Sequence, residues 1–196
     1  MDMKLPHAEA SETWGPAGRF GIVPLSENRV YWFATKNAPR KDPTMAQWSS
    51  SDLLRNFSGY HDPIEEILLQ TPDDQILWND IDDLPPADHL AENRILLIGD
   101  AGHATTPNLG QGAAMALEDA AWLSNHLLQK NIPETFSRFE QARLGRVNWV
   151  VKRSWQFGKM GQLENRWACG LRNTIMRSVP TSASEKTLHT LYEVSF

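Results

Sequence analysis

The stretch that decides the fold runs from Arg94 to His126 and reads RILLIGDAGHATTPNLGQGAAMALEDAAWLSNH. It opens with a continuous apolar run, Ile95 to Ile98, which predicts a short strand buried on both faces. Gly99-Asp100 ends the run and places a carboxylate at the carboxyl end of this strand, where open α/β sheets bind ligands. After a loop, Gly110-Gln111-Gly112 leads into an alanine-rich segment, which predicts a helix to about residue 129.

The residues between this strand and this helix suit a flat, polyhydroxylated ligand. Asp100 can accept hydrogen bonds from hydroxyl groups, as acidic residues do when they hold a ribose. Gly110 and Gly112 let the main chain approach a flat ligand closely and tolerate positive φ. The predicted helix presents unpaired N–H groups and the positive end of its dipole, which favour a developing anion. The plain alternative is a buried strand and helix whose glycines serve packing alone.

The segment GDAGHATTPNLGQGAAMALEDA resembles the second flavin-binding motif of the FAD-dependent aromatic-ring monooxygenases. This family includes p-hydroxybenzoate, salicylate and urate hydroxylases and zeaxanthin epoxidase. The resemblance implies that Asp100 binds the ribityl chain of FAD and that Pro107 lies beside the isoalloxazine ring. It also implies that the pyrimidine edge of the ring packs on Gly110, Gln111, Gly112, Ala113 and Ala114.

An earlier part of the chain resembles the substrate side of the same family. Residues 19–23 and 29–35 are β-rich runs joined by a turn, which predicts an antiparallel hairpin. The stretches GRFGIVPL and NRVYWFAT resemble the family's substrate-domain hairpin. In the urate-hydroxylase branch, the positions of Arg19 and Tyr31 carry residues that meet the substrate. The plain alternative is a solvated arginine and a cross-strand aromatic pair.

The remaining patterns predict further elements. Apolar periodicity and turn residues indicate a strand at 75–81 and helices at 51–57, 63–69, 133–157, 161–179 and 182–192. Ser182 and Glu185 have the spacing of a capping box at the start of the last helix. Five basic residues of the long helix are expected to form its solvated face: Arg138, Arg143, Arg146, Lys152 and Arg153.

The strand, G-x-G-x-x-G turn and helix with which such monooxygenases bind the ADP half of FAD do not occur in the sequence, nor does the family's middle motif. We therefore expect the carboxyl half of an α/β FAD/NAD(P)-binding monooxygenase fold, α+β in this part. Its antiparallel substrate-domain strands would be followed by one core strand and C-terminal helices. Residues 1–90 are predicted to belong to the substrate-binding domain and residues 91–196 to the FAD-binding domain. A core strand without parallel neighbours is expected to need a missing half, an oligomeric partner or a local rearrangement.

Composition and isolated residues narrow the possible functions. The net charge of −5 argues against a general nucleic-acid binder. No apolar run reaches membrane-spanning length and the N-terminus has no signal-peptide core, so the cytoplasm is the expected location. The single Cys169 excludes an intrachain disulfide, and no cluster of ligands predicts a metal site. His103 is expected to be structural, and Glu118 and Asp119 are expected to fix their helix.

The leading hypothesis is a FAD-dependent monooxygenase with no catalytic side-chain nucleophile. By resemblance, NAD(P)H would be the electron donor and a small aromatic or alkene molecule the substrate. A separate chain is one possible source of the missing FAD-binding half. One alternative is a catalytically inactive remnant that serves as an interaction module. The other is a related flavin-dependent halogenase or geranylgeranyl-type reductase, although no lysine here is placed by motif as a halogenase requires.

Overall fold

The computed structural model describes residues 9–128 and 131–193, which form two compact units. Unit 1 contains the described residues up to 80 together with residues 160–175. Unit 2 contains the described residues from 81 to 159 and from 176 onwards. Among the described residues, no helix combines the length and apolar character needed to cross a bilayer.

Unit 1 is built on a three-stranded antiparallel sheet. Its strands are β1 (Ser11–Gly15), β2 (Gly18–Pro24) and β3 (Val30–Thr35), in the order β1-β2-β3. The pairing of β2 with β3 confirms the predicted hairpin, whereas β1 has no counterpart among the predicted strands. Two short helices, α1 (Ser50–Asn56) and α2 (Ile64–Gln70), complete the layer beside the sheet.

One face of this sheet forms the core of unit 1. Because side chains alternate along a strand, β2 directs Phe20 and Ile22 to one face, and both are buried there. Phe20 stacks on Trp32 with ring centroids 5.3 Å apart. The helices contribute the remaining buried side chains, which are Leu53, Phe57, Ile64, Ile67 and Leu68. The opposite face carries the alternate residues, beginning with Arg19.

The strand predicted at 75–81 is not formed. A 3-10 turn covers Asp73–Gln75, and residues 76–81 have no regular secondary structure. Asp73 accepts a hydrogen bond from the Ser50 N–H at 2.7 Å, and Asp80 accepts one from the Lys41 N–H at 3.0 Å. Both ends of the segment are therefore tied to loops and to the start of α1 rather than to the edge of the sheet.

Unit 2 contains the stretch that decided the predicted fold. Its strands β4 (Ala91–Glu92) and β5 (Ile95–Leu96) form a two-stranded antiparallel ladder. The short helix α3 (Asp100–His103) follows where the sequence predicts a loop, and then comes the predicted helix α4 (Gly112–His126). Ala116 on α4 packs against Gly99, since its Cβ lies 3.4 Å from the place where a Cβ of residue 99 would sit.

The prediction that the core strand is buried on both faces is wrong for this chain. The strand shortens to two residues, with Ile95 65%, Leu97 42% and Ile98 40% exposed. Burial on both faces requires parallel neighbours and covering helices, and the only strand paired with β5 among the described residues is β4. An apolar run that would form the centre of a larger sheet is therefore left at the surface.

Three helices complete the described chain: α5 (Ile132–Gly161), α6 (Arg166–Ser178) and α7 (Thr181–Tyr192). Within unit 2, α5 buries Phe139, Val147 and Val150 against Met115 and Trp122 of α4. The capping box predicted at Ser182 does not form, because α7 begins at Thr181 with Pro180 in the N-cap position. A capping box forms instead at Ser49 and Asp52, at the start of α1.

Candidate functional site

The carboxylate that ends the strand is open to solvent. Asp100 is the first residue of α3 and is exposed, and its side chain has no hydrogen-bond or ion-pair partner among the described residues. Gly99 before it adopts φ +55°, a left-handed conformation that glycine tolerates at no steric cost. The chain therefore presents an acceptor that is available to the hydroxyl groups of a ligand.

The loop after α3 exposes the other candidate flavin contacts. Pro107 begins a 3-10 turn and Gly110 ends it, with both residues exposed. Gly110 has φ +63°, and nothing lies within 4 Å of the place where its Cβ would sit. Gly112 is the first residue of α4, and a Cβ there would lie at an ordinary contact distance, 3.7 Å, from Thr105 Cγ2. The positive φ expected of this motif therefore belongs to Gly110, and within the described residues Gly112 has room for a Cβ atom.

The N-terminus of α4 has no side-chain cap. Gln111 occupies the N-cap position and is buried, but its side chain makes no capping hydrogen bond. Ala113 in the first turn is exposed and Ala114 is half-buried. The first N–H groups of a helix carry partial positive charge. An open carboxylate, a left-handed glycine and an uncapped helix start thus fit a polyhydroxyl chain joined to a ring that becomes anionic.

A buried network of charges lies beneath this loop. His103 Nε2 lies 2.7 Å from Asp119 Oδ2, and Arg143 Nε donates to Asp119 Oδ1 at 2.8 Å. Arg143 Nη1 also lies 2.6 Å from Glu118 Oε2, and Arg146 donates two hydrogen bonds to the same carboxylate. These contacts join Glu118 and Asp119 to neighbouring elements, as expected of residues that fix their helix. The structural role of His103 stays a prediction.

Hydrogen bonds keep both carboxylates of the network ionised. Burial acts to raise the pKa of Asp119, but the hydrogen bonds from His103, Gly99 and Arg143 outweigh it and hold this pKa below its ordinary value. Burial also acts to raise the pKa of Glu118, and the hydrogen bonds from Arg146 and Arg143 hold that pKa below its ordinary value. Glu118 and Asp119 are therefore both ionised at neutral pH.

The prediction of a fully solvated basic face on α5 is wrong at two positions. Arg143 is buried, and the Arg146 side chain is only 17% exposed. Arg143 lies in register with the buried Phe139 and Val147, four residues away on either side. The position of Arg143 on the apolar stripe of the helix was the sequence signal for its burial, and a buried charge must be paired.

The same helix holds the flavin-loop candidate residues in place. Ser154 is fully buried, and its Oγ lies 2.6 Å from the Thr106 carbonyl oxygen, to which it donates. Asn108 Nδ2 donates to the Ser154 carbonyl at 2.9 Å and to Thr106 Oγ1 at 2.8 Å. The backbone on either side of Pro107 is therefore anchored to α5.

The two predicted substrate residues share one face of the sheet in unit 1. Arg19 pairs with Thr35 and Val23 pairs with Tyr31, so Arg19 and Tyr31 lie about 14 Å apart along the strands at ~3.4 Å per residue. Tyr31 is 53% exposed and its ring lies 6.2 Å from that of Phe33. Arg19 is buried and its Nε lies 2.5 Å from Glu12 Oε1.

Arg19 belongs to a cluster that the sequence did not reveal. Its guanidinium carbon lies 5.5 Å from the centre of the Trp14 ring, and that of Arg172 lies 5.3 Å from the same ring. Arg172 is buried and donates to the carbonyls of Met160 and Trp14. Trp14 is opposite Arg19 in the β1–β2 register, so recognising β1 as a strand would have paired these two residues.

Most of the chain matches one known protein family. The family model described as an FAD binding domain matches residues 6–153. The chain belongs to this FAD-binding family. The match includes the candidate flavin contacts of unit 2 as well as the sheet of unit 1, which confirms the predicted family and makes FAD its cofactor.

Relatives of this FAD-binding protein are monooxygenases. It is 41% identical over 168 residues to the aurachin C monooxygenase/isomerase of Stigmatella aurantiaca, covering 85% of this chain and 44% of that protein. It is 37% identical over 192 residues to the 2-heptyl-3-hydroxy-4(1H)-quinolone synthase of Pseudomonas aeruginosa, covering 95% of this chain and 49% of that protein. The FAD-dependent urate hydroxylase of Klebsiella pneumoniae is 30% identical over 164 residues, with coverages of 81% and 43%.

The fold agrees with that of a solved flavoprotein. The structure of Klebsiella pneumoniae HpxO complexed with FAD and uric acid matches with a TM-score of 0.84 at 24% identity, covering 95% of this chain and 48% of that one. This likeness confirms the predicted fold class. The FAD-binding chain spans about half the length of the curated relatives it matches.

Proposed function

We propose that this chain supplies the flavin- and substrate-contacting part of a FAD-dependent monooxygenase that hydroxylates an electron-rich aromatic ring. The observation that carries the proposal is that unit 2 contains both the exposed Asp100 carboxylate and the uncapped N-terminus of α4. These groups match the two polar demands of a flavin, hydroxyls along its ribityl chain and negative charge on its ring. The family to which the chain belongs supports the same ligand.

Each candidate residue has a distinct task in this proposal. Asp100 accepts hydrogen bonds from ribityl hydroxyls, and Pro107 packs beside the ring. The backbone from Gly110 to Ala114 stabilises negative charge on the pyrimidine edge through the helix N-terminus. FAD, when bound, supplies the redox chemistry, with NAD(P)H as reductant and O₂ as oxidant. The protein's part is to orient the flavin and the substrate and to exclude water.

The face of the sheet in unit 1 that carries Arg19 and Tyr31 is the proposed substrate surface. Tyr31 and Phe33 offer aromatic area there, and Phe33 covers Gly21 so closely that a Cβ at residue 21 would overlap its ring. Arg19 remains a candidate substrate contact, with Glu12 as the partner that a substrate would have to replace or share. An aromatic surface suits a flat heteroaromatic ring such as a 2-alkyl-4-quinolone, the ring type named in one of the relatives.

The remaining half of the flavin site is proposed to come from a G-x-G-x-x-G segment outside these residues. Either a longer polypeptide or a separate chain can provide it. The surface-exposed Ile95, Leu97 and Ile98 support this proposal, because parallel strands of a larger sheet would cover them. We call the complex of this chain with such a segment the assembled enzyme.

The test is turnover by the assembled enzyme. With 2-heptyl-4-quinolone we expect NAD(P)H oxidation and a product heavier by one oxygen atom, with the second oxygen atom of O₂ reduced to water. Urate serves as the competing substrate because a urate hydroxylase is a more distant relative. The matched control is Asp100→Ala, which should lose flavin and turnover together. Absence of flavin-dependent oxidation with either substrate would favour a non-catalytic interaction module.

A further inference from the structure

We propose that Asp119 is a positioning residue that sets the orientation of Asp100, an inference that rests on the proposed flavin site. Asp119 is fully buried. Its Oδ2 accepts a hydrogen bond from the Gly99 N–H at 3.0 Å and lies 2.7 Å from His103 Nε2. Gly99 precedes Asp100, and His103 is the last residue of α3. One carboxylate oxygen therefore holds both ends of the short helix on which Asp100 stands.

This carboxylate is itself fixed from α5. Asp119 Oδ1 accepts a hydrogen bond from Arg143 Nε, and Arg143 also pairs with Glu118. Glu118 pairs with Arg146, which donates to the carbonyls of Thr190 and Leu191 on α7. The network thus joins two carboxylates to two guanidinium groups. Because a carboxylate only accepts, Nε2 of His103 carries the hydrogen that it donates to Asp119.

The orientation of Asp100 depends on this support. The Asp100 side chain has no hydrogen-bond or ion-pair partner among the described residues, so the position of its carboxylate is set by the backbone that carries it and by its own rotamers. That backbone begins with the left-handed Gly99, which is the residue with the widest choice of conformations. The Asp119 hydrogen bond to the Gly99 N–H selects one of them. Losing it would let α3 move and would weaken ribityl binding without touching the flavin.

The variant that tests this link is Asp119→Asn, which keeps the size of the side chain and removes its charge. The matched control is Glu118→Gln, a buried carboxylate that contacts Arg143 and Arg146 but neither Gly99 nor His103. In this chain alone, we expect hydrogen exchange over residues 99–104 to speed up about tenfold in Asp119→Asn. It should stay within about twofold of the parent in Glu118→Gln. Equal acceleration in both variants would overturn the proposal.

Flavin affinity of the assembled enzyme provides the second arm. Asp119→Asn should raise the Kd for FAD about tenfold, equivalent to the loss of about one hydrogen bond. In the Asp100→Ala background, the same substitution should add less than about twofold, since Asp119 acts through Asp100. Additive effects would show a general structural role and overturn the proposal.

A further variant keeps the test decisive if Asp119→Asn does not fold. His103→Phe retains a buried ring and removes the donor, and it should speed exchange at residues 103–104 and weaken FAD binding in the same non-additive way. Unchanged exchange in a folded His103→Phe chain would overturn the link. The exchange arm needs no flavin, so an assembled enzyme that fails to bind FAD would refute the proposed function and leave the Asp119 test intact.

Discussion

Asp100 and Asp119 show how differently one segment uses two carboxylates. Asp100 is exposed and has no partner among the described residues, whereas Asp119 is fully buried and accepts hydrogen bonds from Gly99, His103 and Arg143. A carboxylate that binds a ligand must have oxygen atoms free to accept hydrogen bonds from it, whereas a supporting carboxylate accepts hydrogen bonds from the protein. The exposed carboxylate is therefore the one expected to respond to flavin.

The first residue-scale prediction concerns Asp100→Ala in the assembled enzyme. The substitution removes a charged acceptor of ribityl hydroxyls, and hydrogen bonds to charged groups contribute about 1.5–3 kcal/mol each. Flavin content should fall more than about tenfold, and the melting temperature of the flavin-free protein should not change, because Asp100 contacts no side-chain partner in the described part of the chain. The measurements are the flavin-to-protein absorbance ratio and thermal unfolding. Normal flavin retention would show that the ribityl chain does not bind here.

A second residue-scale prediction compares Gly112→Val with Ala121→Val on the same helix. A Cβ at residue 112 meets only Thr105 Cγ2, at 3.7 Å, so the protein tolerates the added side chain and the bound ring does not. Gly112→Val should abolish flavin-dependent NAD(P)H oxidation with a loss of at most about 1 kcal/mol in the free energy of unfolding. Ala121→Val should alter stability alone. Equal losses of stability with unchanged flavin affinity would make Gly112 a packing glycine.

At the scale of elements, the sequence predicts what local periodicity determines. The helices α4, α5, α6 and α7 lie where apolar spacing and turn residues place them, within a few residues at their ends. The strand predicted at 75–81 does not form. Its apolar run has the pattern of a strand, but the carboxylates of Asp73 and Asp80 accept hydrogen bonds from backbone N–H groups elsewhere in the fold. Pairings of this kind depend on residues distant in sequence, which periodicity does not register.

The candidate site divides in the same way. The motif contains the proposed flavin contacts from Asp100 to Ala114 within one continuous segment, so the resemblance could name them. The supporting pairs join residues 16 to 28 positions apart, such as His103 with Asp119 and Arg146 with Glu118. Helical spacing predicted that Arg146 would be solvated. It could not indicate the ion pair of Arg146, because the acceptor, Glu118, lies on another helix.

The element-scale prediction concerns acid stability. The N–H groups of Ala91 and Leu90, together with His89, hold the pKa of Glu140 below its ordinary value although burial opposes them. A lowered folded-state pKa means that the stabilisation is complete above the unfolded-state pKa and is lost as pH falls through the folded one. Glu118 and Asp119 act in the same direction. The melting temperature should therefore be level above about pH 5 and fall steadily below it.

The control for this pH profile is Glu140→Gln. At neutral pH it should cost about 1 kcal/mol, or a melting temperature lower by about 2–4 °C. Its profile should be shallower than that of the parent on the acid side, since one of the carboxylates with a lowered pKa is gone. A variant whose profile runs parallel to that of the parent down to low pH would show that Glu140 does not contribute to the acid transition.

At the scale of the whole molecule, this chain is shorter than its curated relatives and matches only part of each one. The matches cover up to 95% of this chain but less than half of each curated relative. The matched part contains the proposed contacts to the ribityl chain and the ring. No G-x-G-x-x-G motif follows a strand in its 196 residues, so in the proposed function the contacts to the pyrophosphate and adenosine come from elsewhere.

We therefore expect the 196-residue chain by itself to bind FAD weakly or not at all. The pyrophosphate carries the negative charge of FAD, and its usual partner is the glycine-rich turn and helix N-terminus that these residues lack. Purified chain titrated with FAD should show no saturable change of flavin fluorescence below about micromolar concentration, the range that corresponds to about −8.2 kcal/mol. The FAD-dependent urate hydroxylase of Klebsiella pneumoniae, of which this chain matches 43%, provides the positive control. Saturable sub-micromolar binding by the chain alone would contradict the prediction and would mean that its own residues complete the flavin site.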